Sequence, residues 1–174
     1  TVPNDLFIYS AMDCYIHCVE SLEGTYINTL SRTYAESALN LCIEALNSDN
    51  PDLSKLLTAS YLGGVSIVNS EVGIAHALSY GLSLEYNYRH GLANCIIFNH
   101  LEKYYGTHVK TFKEILNRHS ITLPKNLSIN FSKDEINRMI DTTLLMQRPL
   151  ENAFGENWKD IFSRDEIQSV YKKL

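Results

Sequence analysis

Ser10-Ala11-Met12-Asp13-Cys14-Tyr15-Ile16-His17-Cys18-Val19-Glu20-Ser21-Leu22-Glu23-Gly24 is the stretch on which the fold of this chain turns. Its apolar residues recur at helical spacing. Ser10 with Asp13 has the form of an N-cap signal and Glu23-Gly24 offers a stop, which together predict a helix carrying Asp13 to about Leu22. On such a helix Asp13 and His17 emerge one turn apart on the same face and can chelate a single ion. A carboxylate with imidazoles suits Fe(II), Zn(II) or a similar first-row metal, whereas Mg(II) and Ca(II) favour oxygen ligands throughout. Taken alone, a helical Asp and His at this spacing more often form an ordinary surface pair.

Outward from that helix the helical spacing persists, and no alternating strand pattern bounded by hairpin turns occurs. The expected class is all-α, a bundle of about six to nine helices in one domain over residues 1–174. A second helix is predicted from about Ser31 to Leu46, with Tyr34, Ala38, Cys42 and Ala45 on one stripe, before Asn47-Ser48-Asp49-Asn50-Pro51 breaks the chain. Pro51 then opens a third segment that runs through Leu56, Leu57, Ala59, Leu62, Gly63 and Gly64 toward His76, its small residues implying close helix contacts. After His90-Gly91 an apolar helix runs to Tyr105 and ends at Gly106, and a shorter one covers about Val109 to His119. Ser132 with Glu135 and Ser163 with Glu166 are capping boxes for two late helices, the first stopped by Pro149.

The bulk numbers narrow the function. A chain of 174 residues can bury roughly 70% of its unfolded surface, enough for a real core. A formal net charge of −5, without clustered Lys and Arg, argues against nucleic acid or an anionic membrane as partner and favours a small molecule. No apolar run reaches the roughly 18 residues that span a bilayer, and Thr1-Val2-Pro3-Asn4-Asp5 has neither a basic region nor an apolar signal core, so a cytoplasmic location is expected. Cys14, Cys18, Cys42 and Cys95 form no Cys-x-x-Cys pair and read as reduced, buried thiols; Cys14 and Cys18 lack the second cysteine pair that a zinc site would use.

His76 and His90 are 14 residues apart, which on one unbroken helix would separate them by about 21 Å. Gly81, Ser83 and Tyr86-Asn87 give the chain places to bend, so that His76 can end one helix and His90 begin the next, both meeting the first helix. His100, in an apolar helix, is expected to be structural. Tyr104-Tyr105 and Trp158 read as packing residues, and His108 and His119 lie among polar neighbours with no chemical signal.

Read together, Ser10-Ala11-Met12-Asp13 leading to His17 and Glu20, then Gly73-Ile74-Ala75-His76-Ala77, then Tyr86-Asn87 before His90-Gly91-Leu92-Ala93-Asn94, resemble the iron-containing (group III) alcohol dehydrogenases. The resemblance covers residues 1 to about 105, and more faintly Arg148 to Asn152. It implies a dehydroquinate synthase-like helical C-terminal domain in which an Asp and three His bind one divalent metal, roles that fall on Asp13, His17, His76 and His90. It also implies metal-assisted hydride transfer from an alcohol to NAD or NADP, and a homodimer in the full-length protein. No Gly-x-Gly-x-x-Gly occurs, so the nicotinamide is expected to be bound mainly by a missing N-terminal domain, and the fragment alone to bind metal without turning over substrate.

Tyr80 stands where many members carry a further His, and Ser83 where they carry Gly, which puts the usual proton relay in doubt. A tyrosine hydroxyl is a weak acid and would need a cation beside it to pass a proton at neutral pH. More narrowly, Met12 to Ser21 with Ser79-Tyr80-Gly81-Leu82-Ser83 is similar to members that oxidise the terminal alcohol of 3-deoxy-D-manno-octulosonate, a sugar acid of lipopolysaccharide biosynthesis. Arg89, beside His90, is the candidate for the carboxylate of such a substrate, since a guanidinium presents a planar fork of donors. Three alternatives stand beside this reading: a general short-chain alcohol or diol dehydrogenase of the same family, a helical metal-dependent hydrolase, and a non-catalytic helical interaction module. The hydrolase usually needs an adjacent His-Asp pair or a His-Glu-x-x-His run, and the chain has neither.

Overall fold

A computed structural model of the protein describes residues 3–174; Thr1 and Val2, part of the stretch read for a signal sequence, lie outside them. The described residues form eleven α-helices and one short 3-10 helix, with no strand. The count exceeds six to nine because two long apolar runs each split in two and because the last 30 residues fold as short pieces.

The first helix, α1, spans Asn4–Glu23. It begins earlier than Ser10, which lies inside the helix with its hydroxyl donating back to Leu6 O (2.9 Å). Pro3 supplies the extended turn before the helix, and Asp5 sits in the positive first turn. Ile8, Met12, Tyr15, Ile16, Cys18 and Val19 are wholly buried, and with Ala11, Cys14, Glu20 and Ser21 the buried positions cover roughly 260° of the helix circumference. A helix covered over most of its surface is central to its domain, and α1 is packed by α2 (Thr29–Leu46), α3 (Leu53–Asn69) and α5 (His90–Phe98).

Local chemistry fixes where these helices start. Asn28 accepts from Ser31 N while Ser31 Oγ accepts from Asn28 N, a reciprocal box that opens α2 two residues before the expected Ser31. Asp52, not Pro51, caps α3 by accepting from Ser54 N and Lys55 N. The expected close contact is made by Gly63, where a Cβ would lie 3.3 Å from Cys18 Sγ. All four cysteines are free and buried.

The third run does not reach His76 unbroken. It stops at Asn69, and α4 (Ile74–Tyr86) restarts after Ser70-Glu71-Val72-Gly73, so His76 is the third residue of α4 and begins rather than ends its helix. Gly81 and Ser83 do not bend the chain. Gly81 is where α4 and α8 (Lys133–Leu145) approach, since a Cβ there would stand 2.5 Å from Tyr171 Oη and 2.9 Å from Met139 O. The break falls at Asn87, in the left-handed region at φ 55°, which asparagine tolerates.

Beyond α5 the run expected to reach Tyr105 is interrupted, leaving α6 (Glu102–Tyr105) and then α7 (Thr107–Arg118). After the 3-10 helix Leu127–Asn130, Ser132 and Glu135 form the expected capping box of α8. Pro149 does not stop that helix. It lies in the first turn of the next one, α9 (Gln147–Phe154), where a missing N–H costs nothing. Helices α10 (Trp158–Ile161) and α11 (Arg164–Tyr171) complete the chain, and Ser163 accepts from Glu166 N at the start of α11. Asn152 on α9 is fully buried and reaches back to the other end of the sequence. Its Nδ2 donates toward Val72 O (3.0 Å), Glu71 O (3.2 Å) and Glu20 O (3.4 Å), while its Oδ1 accepts from Tyr26 N (2.9 Å). Among the described residues no helix is long and apolar enough to cross a membrane.

Candidate metal centre

Three helices bring the predicted ligands to one place. Asp13 and His17 lie one turn apart on α1, His76 is in the first turn of α4, and His90 is the first residue of α5. One ligand atom from each falls within 4.8 Å of all the others. Asp13 is the hub: His76 Nε2 stands 3.5 Å from Oδ1, and His90 Nε2 and His17 Nε2 stand 3.7 and 3.9 Å from Oδ2. A tetrahedral ion with bonds of roughly 2.0–2.1 Å separates its ligand atoms by about 3.4 Å, so these spacings suit a shared cation. The imidazoles of His17 and His76 stack at 4.6 Å, and that of His90 lies 5.3 Å from His76.

The environment is graded. The His76 side chain is 3% exposed, Asp13 15%, His17 22% and His90 44%, so the cluster is sealed on the α4 side and open on the α5 side. Burial alone would raise the Asp13 pKa, but the close imidazoles of His76, His17 and His90 hold this carboxyl well below the usual range. Burial, reinforced by His76, lowers His17 to about 4, and burial lowers His90. Both rings are therefore neutral at neutral pH, the form that donates a lone pair to a metal. Burial would also lower His76, yet Glu20 and Asp13 on either side pull it up to about 9, so an ion bound there exchanges for a proton.

One atom tests the fit. His76 Nε2 is buried and has no hydrogen-bond partner, an arrangement that interiors rarely leave unexplained. Its Nδ1 is satisfied by Glu20 Oε2 at 2.5 Å. The donor set, one carboxylate and three imidazoles with a single orphaned nitrogen directed among them, fits a divalent first-row metal.

Two residues of the site had no role in the sequence reading. Asn94, fully buried on α5, donates through Nδ2 to Asp13 Oδ1 (2.6 Å) and reaches His90 Nε2 (3.1 Å). Its signal was the four-residue spacing from His90, which puts both on one helix face. Glu20 was legible only as part of a motif. Tyr80, one turn after His76, is 38% exposed with its ring 5.8 Å from the His90 ring. Arg89 is the exposed N-cap of α5 and lines a cavity of about 320 Å³ with Asp5, Tyr9 and Tyr88, on which none of the four clustered residues lies. His100, His108 and His119 stand outside the cluster; His119 Nε2 meets Leu46 O and His108 meets Glu23. Trp158 is buried, as a packing residue should be, whereas Tyr105 also donates its hydroxyl to Glu20.

An all-helical domain that converges a carboxylate and three imidazoles is the class that fold and site define. The chain belongs to the Fe-containing alcohol dehydrogenase family as its C-terminal part, the family profile matching residues 7–152. It is 22% identical to alcohol dehydrogenase 4 of Saccharomyces cerevisiae over 99% of this chain and 51% of that protein. It is 25% identical to 4-hydroxybutyrate dehydrogenase of Clostridium kluyveri over 99% of this chain and 54% of the relative. An iron-containing alcohol dehydrogenase from Thermotoga maritima shares the fold with a TM-score of 0.75 at 21% identity, over 99% of this chain and 50% of that one. The chain thus spans about half the length of the curated relatives it matches.

Proposed function

We propose that this chain is the metal-holding half of an NAD(P)-dependent alcohol dehydrogenase, with Asp13, His17, His76 and His90 as ligands to one Fe(II) or Zn(II). The observation that carries the reading is the convergence of four ligand atoms from three helices within 4.8 Å, with His76 Nε2 buried among them and without a hydrogen-bond partner. A bound divalent ion supplies Lewis acidity to a substrate alcohol, easing loss of its proton and then of hydride to the nicotinamide.

The chain's own residues define how that chemistry is framed. His76 and Asp13 form the closed side, where solvent is excluded, and the more exposed His90 leaves an open approach for a small alcohol. Tyr80, with its ring 5.8 Å from that of His90, borders that approach and is our candidate for handing a proton to solvent. The chain spans about half the length of its curated relatives, and binding of NAD or NADP is proposed for the other half of such a protein, with these 174 residues read as one helical domain.

A hydroxy acid is the second substrate reading; Arg89, its expected carboxylate partner, lines a separate cavity that none of the four ligands borders, so this reading rests on the relative from Clostridium kluyveri. The substrate in the name of the Clostridium relative joins a primary alcohol to a carboxylate, and 3-deoxy-D-manno-octulosonate presents the same pair on a larger frame.

Metal analysis of the purified full-length protein tests the core of this reading: about one ion per chain is expected, lost in Asp13→Ala. No bound metal after loading with Fe(II) or Zn(II) would leave the helical interaction module as the better account. Assays with NAD and NADP against simple diols, 4-hydroxybutyrate and octulosonate address the substrate, and turnover of the diols alone would remove the acid reading.

A further inference from the structure

We infer that Glu20 is a positioning residue that sets the tautomer of His76, so that a lone pair rather than an N–H faces the candidate metal position. The inference rests on the metal reading above.

Glu20 lies on α1 with 1% of its surface exposed. Taking a carboxylate out of water costs several kcal/mol unless hydrogen bonds replace the lost solvent. None of the replacements comes from a Lys or Arg. Oε1 accepts from Ala75 N (2.6 Å) and Tyr105 Oη (3.1 Å), and Oε2 accepts from His76 Nδ1 (2.5 Å).

The division of labour between the two oxygens matters. An ionised carboxylate is acceptor-only, so the nitrogen it faces must carry hydrogen. A neutral imidazole has one N–H; if Glu20 claims it at Nδ1, Nε2 is left as the lone pair, and Nε2 is the atom that lies 3.5 Å from Asp13. The missing hydrogen-bond partner of Nε2 is the second, independent sign that this nitrogen is reserved. The same carboxylate also fixes the backbone that carries the ring. Helix α4 has no side-chain cap of its own, and Glu20 reaches across from α1 to the Ala75 N–H in its first turn. Glu20 thus holds the ring and, together with Tyr105 Oη, which accepts from Ile74 N (3.3 Å), the first turn that carries it.

The test uses the full-length protein with its histidines labelled with ¹⁵N. Ring shifts are recorded with Zn(II) bound, and in metal-free protein well above the pH at which His76 gives up its second proton. The wild type is expected to show His76 protonated at Nδ1; a proton at Nε2 in the metal-free protein overturns the inference without any mutant. In Glu20→Gln, Ala75 N–H and Tyr105 O–H both donate and so retain the amide oxygen, which turns the NH2 toward Nδ1. The tautomer is then expected to reverse, and Zn(II) or Co(II) affinity to fall about 10–100-fold.

Tyr105→Phe removes a donor from the same carboxylate and the acceptor of Ile74 N without touching Nδ1, and is expected to leave tautomer and affinity unchanged. An unchanged Nδ1 proton and affinity in Glu20→Gln, or an equal loss of affinity in Tyr105→Phe, would reduce Glu20 to a packing element. A wild-type protein that takes up neither ion would sink the metal reading instead, and the high-pH spectrum would still decide whether Glu20 sets the tautomer.

Discussion

At the junction of α1, α4 and α5, two carboxylates, three imidazoles and an amide are gathered between helices, with Glu20, His76 and Asn94 fully enclosed. Around α8 to α11 the charged residues pair on the outside, Arg138 with Glu85, Arg164 with Asp141 and Lys103 with Glu166. The chemical types overlap but the energetics do not. An exposed ion pair contributes roughly 0–1 kcal/mol, whereas an enclosed charge left without its partner costs several times that. A stability argument alone would favour apolar residues at the junction, so its polarity points to chemistry, while the outer pairs need no further explanation.

The contrast can be broken by mutation, and the largest effect belongs to the junction. His76→Ala strands the Glu20 carboxylate and is expected to lower the stability of the metal-free protein by about 3–5 kcal/mol, read from urea midpoints. A loss near that of an outer pair would show the two regions to be energetically alike. Next comes Gly24, between them: a Cβ there would lie 2.3 Å from Asn152 Oδ1. Gly24→Ala is expected to cost about 1–3 kcal/mol through overpacking, measured by thermal unfolding, with metal stoichiometry retained. Ser132→Ala removes one half of the α8 box and should cost about 1 kcal/mol. Arg164→Ala should change stability least, by less than about 1 kcal/mol as derived from urea unfolding; a larger change would mean that the outer pairs are structural after all.

What could be read from the sequence divides along similar lines. The all-helical class followed from spacing, and Asp13 with His17 from the four-residue interval, because both depend on local geometry. His76 and His90 were placed beside them through a resemblance of motifs, since no local rule says which way α4 turns after Gly73. Helix ends were misplaced where one residue type serves two purposes. Ser10 has the look of a cap but bonds back within α1, Gly81 looks like a hinge but admits α8, and Pro149 opens a helix rather than closing one. Glu20 and Asn94 act through contacts 56 and 81 residues away in sequence, and such contacts leave no periodic trace.

The amide of Asn152 carries a consequence for synthesis. Its partners lie up to 132 residues upstream, so while the ribosome is still adding α8, the carbonyls of Glu20, Glu71 and Val72 have yet to meet it. The segment leading into α4 is thus clasped only after α9 has been made, and long loops of this kind close at an entropic cost that grows slowly with length. A nascent chain paused before residue 152 leaves those carbonyls unclasped and this segment open to proteases and to the wrong neighbour.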